Sequence, residues 1–166
     1  MRQKARKNLE HYMIKHRFQQ TEYTCGPACM VMVLEALGIE SSEKQLTAMM
    51  KPSKVSGTTN KAFSEVAEYY KLNYTVKRNS SLSDLRSLYA ENIIVVCYTP
   101  DNYGHFAIIK NITQSRISLI DPYYGSDVTY NTREFLQRWK GYEEKRWLFA
   151  LEIVKDKNKA GDCFVF

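Results

Sequence analysis

Apolar residues are densest between Pro27 and Leu37, where Glu35 is the one charged position and Gly38 follows. A helix apolar on every side is buried, and glycine just past the last apolar position is a helix stop. The pattern therefore predicts a central helix. Ser41–Ser42, with Glu43 and Lys44 in the first turn, opens a second helix to Met50. "KPSKVSGTTN" reads as a loop. Asn60 then caps a third helix through Tyr70, because Phe63, Val66, Ala67 and Tyr70 fall at i, i+3, i+4 and i+7. "YTVK" (74–77) is a short strand, and Ser81 or Ser83 caps a helix to about Ala90. Beyond it the apolar runs are short and rich in β-branched residues: 93–99, 105–112, 116–121 and 147–154, interrupted by a short helix over 132–139. Helices first and a mostly antiparallel sheet second define an α+β fold.

Composition alters this picture little. Of 166 residues, 44% are apolar and 25% charged, an ordinary globular balance. The net charge of +6 invites a nucleic-acid reading. However, Arg2, Lys4, Arg6, Lys7, Lys15 and Arg17 all lie in the first seventeen residues, with Lys140, Lys145 and Arg146 as a later cluster. No recognition motif accompanies them, so no nucleic-acid partner is expected. Residues 1–17 read as a basic tail or short helix, and 18–166 as one domain. No stretch approaches the roughly 18 apolar residues that span a bilayer, and the N-terminus does not resemble a secretory signal. The expected location is the cytoplasm. Cys25, Cys29, Cys97 and Cys163 do not form a disulfide scaffold. The Cys25–Cys29 pair lacks a second ligand pair at zinc spacing, so neither a metal nor another cofactor is expected.

Cys25 lies where the polar segment "FQQTEYT" meets the apolar helix, two residues before Pro27. Proline suits a first helical turn, and the uncompensated N–H groups there favour a thiolate. Cys25 is thus either a core thiol or a nucleophile. A nucleophile needs a base. His11 and His16 belong to the basic tail and read as solvated, whereas His105 opens an apolar strand after Gly104. A base needs an orienting group. If 105–112 and 116–121 pair around a three-residue loop, His105 faces position 123 and Asp121 lies one diagonal away on the same face. A two-residue loop puts them on opposite faces unless a bulge re-aims Asp121. An oxyanion donor is also required, and Gln19 and Gln20 both lie near enough in sequence. Taken singly, each of these residues is weak or even evidence, and Asp121 before Pro122 alone reads better as a turn residue. "DPYYGSD" and Trp139 either line the cleft near His105 or pack, packing being the commoner outcome.

"QQTEYTCGPACMVMVLEALG", "GHFAIIKNI" and "SLIDPYYG", in this order, resemble the bacteriocin-processing (double-glycine) cysteine peptidases and their stand-alone relatives, within the papain-like superfamily. The resemblance runs from about Phe18 to Val154. It implies a papain-like fold in which the central helix carries the cysteine and the sheet carries histidine and aspartate. It also implies Cys25 as nucleophile, His105 as base and then acid, Asp121 as orienting group and Gln19, six residues before the cysteine, as oxyanion donor. The implied partner is a peptide or protein substrate, cleaved by hydrolysis. The best-known members are fused to a membrane transporter and cut after Gly-Gly; this chain carries no G-x-x-x-x-G-K-[ST] motif and has Tyr-Thr before its cysteine. The alternatives are a thiol-dependent glutamine deamidase or acyl transferase, and a catalytically silent peptide-binding module.

Overall fold

The structure, a computed structural model, describes residues 13–153. Five helices and six strands follow one another as α1 (Cys25–Ala36), α2 (Glu43–Met50), α3 (Asn60–Tyr69), β1 (Tyr74–Lys77), α4 (Leu82–Tyr89), β2 (Asn92–Tyr98), β3 (His105–Ile112), β4 (Arg116–Asp121), β5 (Gly125–Asn131), α5 (Thr132–Arg138) and β6 (Leu148–Glu152). The strands form one antiparallel sheet in the order β1-β6-β2-β3-β4-β5. The α+β reading holds. The expectations for His11, Cys163 and most of the basic tail lie outside the described residues.

Burial explains the sequence pattern. On one face, Ile93, Val95, Cys97, Phe106 and Ile108 pack under α1, α2 and α3. On the other, Ile94, Val96, Tyr98, Ala107 and Ile109 pack with Leu85 of α4, Phe135 of α5 and Trp139. Covered on both faces, β2 is an unbroken apolar run rather than an alternating one. Helix α1 is buried from Cys25 to Leu34, and the Cys29 thiol donates to the Phe106 carbonyl at 3.4 Å, fixing the helix against β3. Trp139 is buried and its indole N–H donates to the Trp147 carbonyl, so it packs rather than lines a cleft.

Three local readings are corrected. The residue flanking α3 is Thr59; Asn60 is inside the helix, and its amide reaches Glu144 at 3.3 Å. Ser42 and Ser81 do cap α2 and α4, each in a reciprocal capping box. Strand β5 has no counterpart in the apolar pattern. It is the sheet's edge, largely exposed, so nothing in "GSDVTYN" needed to be apolar beyond half-buried Val128 and Tyr130. Finally, His16 is not simply solvated. Its Nε2 hydrogen-bonds the Asp121 carbonyl at 2.8 Å, and its ring meets Phe18 edge-on at 4.5 Å.

The turn between β3 and β4 departs from the simple hairpin. Near it, Ile112 faces Ile117 and Asn111 faces Ser118; beyond Lys110, Ile109 faces Leu119 and Ile108 faces Ile120. A bulge at Lys110 has shifted the register by one residue. Without it, His105 and Asp121 would point to opposite sides of the sheet.

Close packing also constrains the start of α1. A Cβ built on Gly26 would stand 2.4 Å from Thr58 Oγ1 and 2.7 Å from its Cβ. Gly26→Ala is therefore expected to cost about 1–3 kcal/mol through overpacking. Most of this should return in Gly26→Ala/Thr58→Ala, a non-additivity that urea unfolding of the two single variants and the double variant will measure.

Candidate active site

Helix α1 begins at Cys25 without help from a side chain. Thr24 flanks it but makes no capping hydrogen bond; its hydroxyl instead joins Thr21, accepting from the Thr21 N–H at 3.2 Å and meeting the Thr21 hydroxyl at 3.0 Å. Pro27 at the third position has no N–H to cap. The positive end of the helix is thus left to whatever occupies the site, and the first residue there is the buried thiol Cys25.

The facing wall comes from the ends of three neighbouring strands. His105, the first residue of β3, pairs directly with Tyr98, the last of β2, and the bulge brings Asp121, the last of β4, into line with both. His105 Nε2 lies 2.7 Å from Asp121 Oδ1. The same oxygen accepts the backbone N–H groups of Tyr123 at 2.7 Å and Tyr124 at 2.9 Å. Asp121 Oδ2 accepts the Tyr98 hydroxyl at 2.5 Å. Asp121 is completely buried, so all its compensation comes from these four donors.

Their electrostatic effects are mutual. Burial alone would push the Asp121 carboxyl up; the hydrogen bond and charge of His105, the Tyr98 hydroxyl and the Tyr124 N–H outweigh it and hold the pKa below the usual carboxylate value. Burial likewise opposes a charge on His105, but the hydrogen bond to Asp121, then the interaction with Cys25, raises its pKa to about 9. With Nε2 engaged by Asp121, Nδ1 is the nitrogen left for Cys25. The Tyr98 hydroxyl is pushed well above its ordinary value by burial and by the adjacent carboxylate. The other two thiols among the described residues are held neutral: burial, then proximity to Cys25, raises Cys29 far up and Cys97 to about 12.

The two glutamines separate. Gln19 is half-buried; its backbone N–H donates to the Pro122 carbonyl at 2.8 Å and its side-chain amide to the Thr21 carbonyl at 2.7 Å. Gln20 is exposed, its backbone N–H bound by Glu43 at 2.9 Å. The segment before α1 is therefore tied to the end of β4 twice, through His16 to Asp121 and through Gln19 to Pro122. Tyr98 and His16 are the site neighbours that the sequence did not single out. The signal for Tyr98 was a hydroxyl closing an otherwise apolar strand, which needs a buried partner. Among the described residues, no group of three or more His, Cys, Asp or Glu side chains could hold a metal ion, and no helix is long and apolar enough to cross a membrane.

The fold has known counterparts. The peptidase domain of Streptococcus ComA, a bi-functional ABC transporter involved in quorum sensing, superposes with a TM-score of 0.68 at 18% identity, covering 86% of this chain and 100% of that one. A double glycine motif protease from an AMS/PCAT transporter, solved in complex with its leader peptide, gives 0.68 at 19% identity over 86% and 94%. A C39-like peptidase from Bacillus anthracis gives 0.67 at 15% identity over 87% and 96%. At such identities these likenesses establish the fold, a papain-like one. No curated protein matches the chain. A sequence profile does: it matches residues 13–143, and the chain belongs to the peptidase C39 family of cysteine peptidases.

Proposed function

We propose that this protein hydrolyses a peptide bond in a peptide or protein substrate, with Cys25 as nucleophile, His105 as base and acid, Asp121 as orienting group and Gln19 as oxyanion donor. The observation that carries the reading is the 2.7 Å pairing of His105 Nε2 with a fully buried Asp121, at the strand ends facing an uncapped helix that begins with Cys25. The leader peptide held by the AMS/PCAT relative supports a peptide as substrate.

The steps follow from the groups present. The Cys25 thiolate attacks the carbonyl carbon, forming a C–S bond while the electron pair moves to oxygen. The Cys25 N–H, at the uncapped helix start, and the Gln19 amide stabilise that oxyanion. Protonated His105 gives its proton to the leaving nitrogen, the C–N bond breaks, and a thioester remains on Cys25. Water then adds to the thioester with His105 accepting its proton, and the thiolate leaves with the acid product. Asp121 keeps the imidazole oriented and stabilises its charged form. Gln19 suits its role better than Gln20 because two hydrogen bonds hold it, whereas the Gln20 side chain stands in solvent.

Four outcomes are expected. Iodoacetamide should alkylate Cys25 faster than Cys29 and Cys97, and His105→Ala should lose about tenfold or more of that rate; equal, slow alkylation of Cys25 in both proteins removes the nucleophile assignment. The leaving group is protonated only while His105 carries its proton. The pH profile of kcat/KM on a cleaved peptide should therefore fall on its alkaline side near pH 9, and Asp121→Asn should move that limb to lower pH. Product masses in the same assay separate hydrolysis from deamidation, which shifts mass by about one dalton without a chain break. Tyr98→Phe leaves a buried carboxylate oxygen without its donor. It should cost about 1–3 kcal/mol in urea unfolding, and lower kcat more than it raises KM.

A further inference from the structure

Eight large apolar or aromatic side chains stand exposed among the described residues, and three of them, Tyr123, Tyr124 and Tyr142, gather at His105 and the adjoining Gly104. Tyr103, Tyr123, Tyr124 and Tyr142 are 69%, 54%, 48% and 70% exposed. The rings of Tyr123 and Tyr124 meet the imidazole edge-on at 6.2 and 6.0 Å and each other at 4.9 Å. Tyr142 covers Gly104, its Cδ2 standing 3.3 Å from where a Cβ would be, and Tyr103 precedes that glycine. The cluster is also held in place. The Tyr124 hydroxyl donates to Asp101 Oδ2 at 2.6 Å and the Tyr103 N–H to Asp101 Oδ1 at 3.2 Å. The N–H groups of Tyr123 and Tyr124 are bound to Asp121. Exposed aromatics fixed by a buried carboxylate and a surface one are held against solvent at a cost that fold stability does not explain.

The chemistry says which part of a substrate would meet them. Because Asp121 holds Nε2, His105 must deliver its proton from Nδ1 to the leaving nitrogen. That nitrogen belongs to the residue just after the scissile bond. Its side chain is therefore carried across the imidazole to the rings that flank it, while the acyl part stays over α1 and Gly26. We propose that Tyr123, Tyr124 and Tyr142 form the subsite for the leaving segment and select a large apolar or aromatic residue immediately after the cut. Tyrosine rings supply broad apolar contact with few rotatable bonds and keep a polar tip in water, which suits a half-open subsite. The inference rests on the Cys25–His105 reading above and adds the substrate preference to it.

Two measurements on the intact chain test it. In a peptide series varying only the residue after the cut, phenylalanine or leucine should exceed glycine or glutamate by about tenfold or more in kcat/KM. Tyr142→Ala and Tyr123→Ala should shrink that ratio to about threefold or less. The second measurement needs no variant. A panel of N-acyl amino-acid p-nitrophenyl esters acylates Cys25 with release of nitrophenolate, and added amines compete with water for the thioester. The amine nitrogen attacks the carbonyl, loses its proton to His105, and displaces the thiolate as an amide forms. Phenylalaninamide should capture the acyl group about tenfold more effectively than glycinamide. Acylation followed by equal capture of the two amides overturns the subsite and leaves the catalytic reading standing; absence of acylation by every ester overturns both.

Discussion

A carboxylate with no access to water must find all its compensation in the protein, and Asp121 does so at the end of a strand. Its two oxygens take a histidine N–H, a phenol and two backbone N–H groups. Removing a single donor would leave a buried charge partly uncompensated, an expensive state. This requirement organises the surroundings: it fixes the turn after β4, orients the imidazole and engages the end of β2. The segment before α1 is anchored to the backbone carbonyls of Asp121 and the adjoining Pro122, so the two walls of the site share one rigid point.

The register of β3 and β4 is the condition for that cluster. Strand alternation is unforgiving, since a slip of one residue exchanges the faces of every side chain. The bulge at Lys110 performs such a slip in mid-strand. On the turn side, Ile112 and Ile117 join the core beneath α4 and α5; on the far side, Ile109 and Leu119 join the same core. The extra residue is accommodated at exposed Lys110 and Asn111. Burial on the turn side and the site geometry at the strand ends are therefore satisfied together.

Much of this was legible in the chain. The all-apolar run after Pro27 and the β-branched runs of the second half announced a buried helix and a central sheet, because burial on all sides leaves no polar alternation. The Cys25, His105 and Asp121 positions stood out because titratable residues sat at the edges of apolar segments. The three-residue hairpin loop assumed from the sequence put His105 and Asp121 on one face, which is the result the structure reaches by a different route, through the bulge. What stayed illegible shares one property. Tyr98 reads as another core aromatic until its hydroxyl meets Asp121; β5, at an exposed edge, had little burial to record in its sequence. His16 looked like part of a charged tail because its partner is a backbone carbonyl, which no residue type advertises. Asn60 resembled a cap because asparagine favours that position, yet its amide is used by Glu144 across the fold.

The sheet order has a consequence for how the molecule is made. Strand β6 comes last among the described elements but lies between β1 and β2, so the sheet cannot close around its middle until that strand has been synthesised. A chain still emerging from the ribosome carries its thiol early and gains imidazole and carboxylate much later, and the contacts that bring them together are among the most distant in sequence, which form slowly. Birth and assembly are thereby separated in time: the Cys25 thiol is made long before the His105–Asp121 pair, and the two walls meet only as the described sheet closes.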